Sequence, residues 1–263
     1  MSRLLVTGAA GRIGALLRPQ LVRPDRELRL LDLAPQRPAG PGEIVIQADI
    51  TDPGAMARAC DGADAVLHLA AYPGEQTWAE LQRVNVDGTR TLLEAARGAG
   101  VPRVILASSM HAAGFHPRTD GPLPAAVPAR PDTYYGWSKA AAEALGTLYA
   151  DRFGMTVFAV RIGACFPTPL YTDLLHCWLA PDDCVRLVEA CLAADTAGFR
   201  LLWGISRNTR RWWSLSEGEE IGYHPQLDSE EYAQRLGPAP ERQSSGGDRL
   251  GGYFCFLPLG EPY

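Results

Sequence analysis

Short apolar runs alternate along this chain with longer segments of helical period, and that alternation leaves few folds open. Strands are expected at 3–7, 27–32, 43–48, 63–70, 103–108, 156–162 and 199–203, and helices at 11–22, 53–60, 78–98, 134–153 and 182–194. A helix between two strands returns the chain to the same end of a sheet, so consecutive strands run parallel. Parallel sheets are covered on both faces, and their strands should be almost continuously apolar. Val104-Ile105-Leu106-Ala107 and Val66-Leu67-His68-Leu69-Ala70 come close to that pattern. On the helix at 78–98, Leu81, Val84, Leu92, Leu93 and Ala96 share one side. The expected architecture is α/β, a doubly wound parallel sheet. The stretch after Trp213 is richer in polar residues, Gly and Pro, and reads as a small C-terminal helix-and-loop cover. One domain spanning 1–263 is expected, with cover over the substrate side drawn from about 163–263.

Composition narrows the function classes. A net charge of -5 disfavours nucleic acid, whose binders carry a basic excess. No apolar run approaches the ~18 residues of a membrane span. Met1-Ser2-Arg3-Leu4-Leu5-Val6 runs directly into a strand with no leader-like stretch, which implies a cytoplasmic protein. The cysteines at 60, 165, 177, 184, 191 and 255 show no C-x-x-C pair and no metal-ligand spacing. They read as reduced core thiols, Cys184 and Cys191 sharing one helix face, and His176-Cys177 reads as a chance neighbour pair; no metal is expected.

Between the first strand and the first helix stands Thr7-Gly8-Ala9-Ala10-Gly11-Arg12-Ile13-Gly14. Glycines there permit a tight turn and close backbone approach to a pyrophosphate, and the helix N-terminus behind them is electropositive. In the first turn of a βαβ unit this is the mark of a dinucleotide-binding Rossmann fold. Asp32 ends the second strand 18 residues beyond Gly14, where a carboxylate can grip the adenosine ribose hydroxyls. It would repel a 2′-phosphate, and Leu33-Ala34-Pro35 offers no arginine to receive one, so NAD is the expected cofactor.

Of the 25 basic residues only Lys139 is lysine. It closes Tyr135-Gly136-Trp137-Ser138-Lys139, a Y-x-x-x-K whose ends lie on one helix face. A free tyrosine titrates near pH ~10, and a neighbouring cation favours the phenolate. Tyr135 is therefore the candidate general acid/base and Lys139 its partner, also able to bond the nicotinamide ribose. Ser109, ending the fifth strand in Ser108-Ser109-Met110-His111, would hold the reacting oxygen. Tyr134 lies five residues before Lys139 and points elsewhere. His111 is either a substrate contact or a structural histidine.

With the chain length, these segments resemble the uronate dehydrogenases, NAD-dependent members of the extended short-chain dehydrogenases. The resemblance rests on "RLLVTGAAGRIG", "SSMHAAGF", "PARPDTYYGWSK", "VRIGACFPTP" and Trp203-Gly204. It implies that Gly8, Gly11, Arg12, Ile13, Gly14, Asp32 and Leu33 hold one end of NAD. It also implies that Asp49 and Ile50 hold adenine, and that Leu69, Ala70, Ala71, Asn85, Lys139 and Ile162 line the rest. A helix-to-strand bridge is the alternative role for Asn85. Ser109, Met110, His111 and Cys165 would face the substrate. The implied reaction is hydride transfer from C1 of a cyclic sugar to NAD, giving a lactone. Oligomers are common in that superfamily, which implies a homo-oligomer with the helices at 78–98 and 134–153 as interface.

The substrate end departs from the family. Met110 stands where the relatives carry Asn and Ala164 where they carry Ser. Their carboxylate-binding arginine has no counterpart between Arg161 and Arg186, where the matching stretch reads Tyr171-Thr172-Asp173. Arg118, Arg130 and Arg207 are the candidate replacements. A less charged sugar or secondary alcohol thus remains an alternative substrate. Two other readings stay open: an epimerase or dehydratase that retains NAD, and a non-catalytic NAD-binding regulator.

Overall fold

The computed structural model describes residues 1–240 and 248–263. The chain runs β1 (Ser2–Thr7), α1 (Arg12–Leu21), β2 (Arg26–Asp32), β3 (Glu43–Gln47), α2 (Pro53–Cys60) and β4 (Ala65–His68). Then follow α3 (Trp78–Glu80), a π-helical stretch at Leu81–Asp87, α4 (Gly88–Gly98), β5 (Arg103–Ser109) and α5 (Tyr134–Phe153). The remainder is β6 (Thr156–Ile162), β7 (Ala164–Cys165), β8 (Trp178–Leu179), α6 (Pro181–Ala193), β9 (Phe199–Gly204) and α7 (Ser216–Glu219), with short 3-10 turns.

Seven strands form one parallel sheet in the order β3-β2-β1-β4-β5-β6-β9. Successive residues of one strand enter opposite cores, as the two-residue period of a strand requires. Leu4, Val6 and Ile105 join one apolar cluster, while Leu5, Val104 and Leu106 join the other. The sheet is therefore covered on both faces, and all seven expected strands are in it.

Three elements differ from expectation. β4 is shorter than 63–70: Gly62 turns with φ +64° and the Ala63 N–H closes onto Cys60 O, so pairing starts only at Ala65. The segment at 78–98 is not one α-helix. Its middle widens so that the Gly88 N–H reaches Arg83 O, five residues back, and this sets Asn85 and Thr89 both inward. There Thr89 Oγ1 donates to Asn85 O at 2.6 Å and also meets His68 Nε2 at 3.1 Å. The β7–β8 pair is unforeseen, since two residues per strand are too few to show a period.

Beyond β9, Trp212, Trp213, Leu215 and Tyr223 pack into the core shared with Trp203 and Leu202. Residues 248–251 then run antiparallel to 114–118, Gly251 N–H donating to Gly114 O at 2.8 Å. This return brings the C-terminal segment over the carboxyl ends of the strands. Among the described residues no helix is long and apolar enough to cross a membrane.

Candidate active site

The order of the sheet reverses between β1 and β4, which opens a crevice at the carboxyl ends of those strands. The glycine turn lines it. Gly8 has φ +73°, and a Cβ there would stand 2.5 Å from Ala70 N. A Cβ on Gly14 would stand 2.5 Å from Gly8 O, so the turn packs against α1 only as glycine. Gly11 caps α1 without a side-chain acceptor, which leaves the first N–H groups of that helix for an anion. Asp32 Oδ2 accepts the Ala10 N–H and Oδ1 the Ala34 N–H, each at 2.9 Å. Its remaining lone pairs are available to two hydroxyls, and Leu33 beside it is exposed.

Further along the crevice Asp49 Oδ1 accepts the Thr51 N–H at 2.9 Å, and that bond helps hold the carboxyl below its ordinary range. Ile50 is buried against Gly88. The donor set thus fits a dinucleotide: a glycine cradle at a helix start, and a carboxylate at the end of the second strand. Asn85 is buried. Its side chain accepts from the Tyr72 N–H at 2.8 Å and donates to Ser138 Oγ at 3.0 Å, tying the loop after β4 to α5.

The start of α5 is set by two acceptors. Thr133 Oγ1 takes the Gly136 N–H at 3.0 Å, and the buried Glu75 carboxylate takes the Tyr135 N–H at 2.7 Å. An anion suits the positive end of a helix. On the helix face below, the Tyr135 phenol lies beside the Ser109 hydroxyl. Lys139 Nζ lies 5.7 Å from the Tyr135 ring and donates to Ala107 O at 2.8 Å. Tyr134 turns away onto Trp78.

The electrostatics correct one expectation. Burial pushes Tyr135 up to about 12 rather than down, with the Ser109 hydroxyl opposing the rise. Burial likewise pulls Lys139 down to about 8, opposed by the charge of Glu143. Desolvation is the largest effect on both groups, because both are buried. Both groups shift in the directions that favour their uncharged forms.

A cavity of about 480 Å³ joins these groups. Arg12, Ile13, Leu69, Ala71 and Ile162 line it on the glycine-turn side, and Ser109, Tyr135 and Lys139 at its centre. Met110, His111 and Cys165 line it too, so every residue expected at the substrate faces it. His111 Nδ1 is bound to Asp132 Oδ2 at 2.6 Å, and its ring stacks on Phe254 at 3.9 Å, which leaves Nε2 for a ligand. Arg207 is turned to Pro225 O and Glu219, and neither it nor Arg130 lines the cavity.

Glu75, Asp132, Glu143 and Arg249 were not among the expected site residues. Glu143 carried a signal, four residues beyond Lys139 on the same helical face. Asp132 sat just before a Thr that reads as a helix cap. Glu75 and Arg249 lie in loops where a charged residue looks solvated.

Residues 4–166 match the NAD dependent epimerase/dehydratase family. The chain belongs to that family. It is 39% identical to the uronate dehydrogenase of Pseudomonas putida, over 97% of this chain and 96% of that one. It is 35% identical to the NAD-dependent glucose-6-phosphate dehydrogenase of Haloferax volcanii, over 90% of this chain and 98% of that one. The crystal structure of a uronate dehydrogenase mutant from Agrobacterium tumefaciens, complexed with NAD, superposes with a TM-score of 0.91 at 38% identity. That match covers 98% of each chain. The family member described here is an NAD-dependent oxidoreductase acting on CH–OH groups.

Proposed function

We propose that this protein oxidises C1 of a cyclic uronate, or of a related aldose, to the lactone. The observation that carries the reading is Ser109, Tyr135 and Lys139 converging in one cavity beside a dinucleotide cradle. Ser109 hydrogen-bonds the C1 oxygen and Tyr135 takes its proton. Lys139 would hold the nicotinamide ribose, and its ammonium stabilises the phenolate form of Tyr135 that accepts the proton. NAD, when bound, would supply the acceptor for the C1 hydride. His111, its Nδ1 held by Asp132, presents Nε2 to a ring hydroxyl. The relatives named uronate and glucose-6-phosphate dehydrogenase support a sugar substrate.

The test is NADH formation with glucuronate, galacturonate, neutral aldoses and sugar phosphates. Tyr135→Phe is expected to lower turnover by about 10²- to 10⁴-fold while leaving NAD binding intact. A second reading, a less charged substrate, is favoured by Met110, Ala164 and Asp173 on the cavity wall. Turnover confined to neutral sugars would establish it. NAD that co-purifies with no net NADH on any substrate would indicate an epimerase or dehydratase instead.

The six cysteines are free thiols, in keeping with a reducing cytoplasm. Leu148 and Phe153 on α5 and Trp78 on α3 are large apolar side chains left exposed, which supports a homo-oligomer through these helices.

A further inference from the structure

A uronate brings a charge problem to the end of the cavity away from Tyr135. Its carboxylate leaves water on binding and needs a cation or several donors in exchange. Among the described residues, the cavity wall carries three lysine or arginine side chains: Arg12, Lys139 and Arg249. Lys139 is committed to the reacting end, on Ala107 O. Arg12 opens α1 at the glycine turn, with its guanidinium 4.1 Å over the Phe166 ring. Only Arg249 belongs to the C-terminal wall.

Its backbone is held in register. The Arg118 N–H donates to Asp248 O at 2.8 Å, and the Leu250 N–H to His116 O at 2.9 Å, on either side of it. The guanidinium lies 5.5 Å over the Phe115 ring, and Nη1 donates to Phe115 O at 3.3 Å. No carboxylate among the described residues forms a salt bridge with it. Other cavity-wall groups on the substrate side are Asp173 and His176. Asp173 is exposed and accepts from Thr172 Oγ1 at 3.2 Å. His176 is kept neutral by its surroundings and by the charge of Arg118, and its buried Nδ1 has no hydrogen-bond partner.

We propose that Arg249 is the specificity-determining residue that pairs with the substrate's carboxylate. The proposal rests on the uronate reading above. A cation delivered by the returning C-terminal segment thereby does the work for which the 162–185 stretch has no arginine.

The experiment compares galacturonate with galactose and glucuronate with glucose, pairs that differ only at C6, using wild type, Arg249→Ala and Arg249→Lys with NAD. Arg249→Ala is expected to raise the uronate KM by about 30-fold or more. The KM for NAD and the kcat/KM for the neutral partner should stay within about twofold, and Arg249→Lys should recover part of the loss. Wild-type turnover of uronates with an unchanged KM in Arg249→Ala overturns the proposal and leaves the uronate reading standing. An equal rise for acid and neutral sugars also overturns it, since the arginine would then only close the wall. A wild type that does not turn over uronates removes the uronate reading itself, and the proposal with it. Thermal melting of each variant shows that the fold is retained.

Discussion

Lys139 shows how one residue serves chemistry against stability. It is the chain's only lysine, it is buried, and its pKa in the fold is about 8 against an ordinary 10.5. Between those two values the unfolded chain binds more protons than the folded one, so stability rises with pH across the window. Below about pH 8 the whole cost of burying the ammonium is present. Lys139→Met keeps the bulk of the side chain and removes the charge. It is expected to abolish turnover while stabilising the protein by on the order of 2 kcal/mol at pH 7. The loss of the bond to Ala107 O trims that gain. Denaturant midpoints read it, and the advantage over wild type should shrink from pH 8 to 10.5. An advantage unchanged across that range would sink the assignment of strain to this ammonium. The Y-x-x-x-K spacing was legible in the sequence, whereas the direction of the Tyr135 shift was not. It depends on how much protein closes over the phenol, and no local pattern records that.

At the scale of elements, α5 carries more than the reacting pair. Tyr135, Lys139 and Glu143 recur at four-residue steps on its inward face. Glu143 takes two bonds of 2.8 Å from Arg161 on β6, and one of 2.6 Å from Ser108 Oγ on β5. Arg161 also donates to Ala125 O and Val127 O, each at 3.0 Å, pinning the loop that leads towards α5. The pair is almost wholly buried, so breaking it leaves a charge without compensation. Arg161→Leu is expected to cost about 3–5 kcal/mol in urea unfolding. The double variant Arg161→Leu with Glu143→Leu should recover much of that loss. Equal destabilisation in the single and double variants would show that packing, and not the orphaned carboxylate, sets the cost. The strand and helix of this network were readable from periodicity. The pairing of 143 with 161 was not, because it joins two elements across the sheet.

For the whole molecule, the crevice arises from the strand order and the cavity from the return of the chain's end. Phe254 on His111 and the 248–251 ladder against 114–118 close the substrate side. The opposite concern is the outer surface of α5, where Leu148 is 51% and Phe153 42% exposed. Burying such side chains against a second copy would gain apolar area without disturbing the sheet. Leu148→Glu is therefore expected to shift the protein to a smaller species in light scattering, with NAD binding unchanged. A wild type that is already monomeric removes the interface.

The sequence by itself determined the alternation that makes the sheet, the glycine turn between the first strand and helix, and the tyrosine, lysine and serine proposed for the reaction. The glycine turn and the Tyr135–Lys139 pair are written in residues a few positions apart, where spacing alone fixes which side chains share a face or a turn. The tertiary structure decided the rest. It turned Asn85 inward to brace α5, set Asp132 behind His111 and Glu75 under the start of α5, and brought Arg249 to the cavity wall. Those contacts join residues 21 to 134 positions apart, counting His111 to Asp132 and Phe115 to Arg249. Such pairings form only when the sheet order and the path of the last segment are settled, and no local period carries that information.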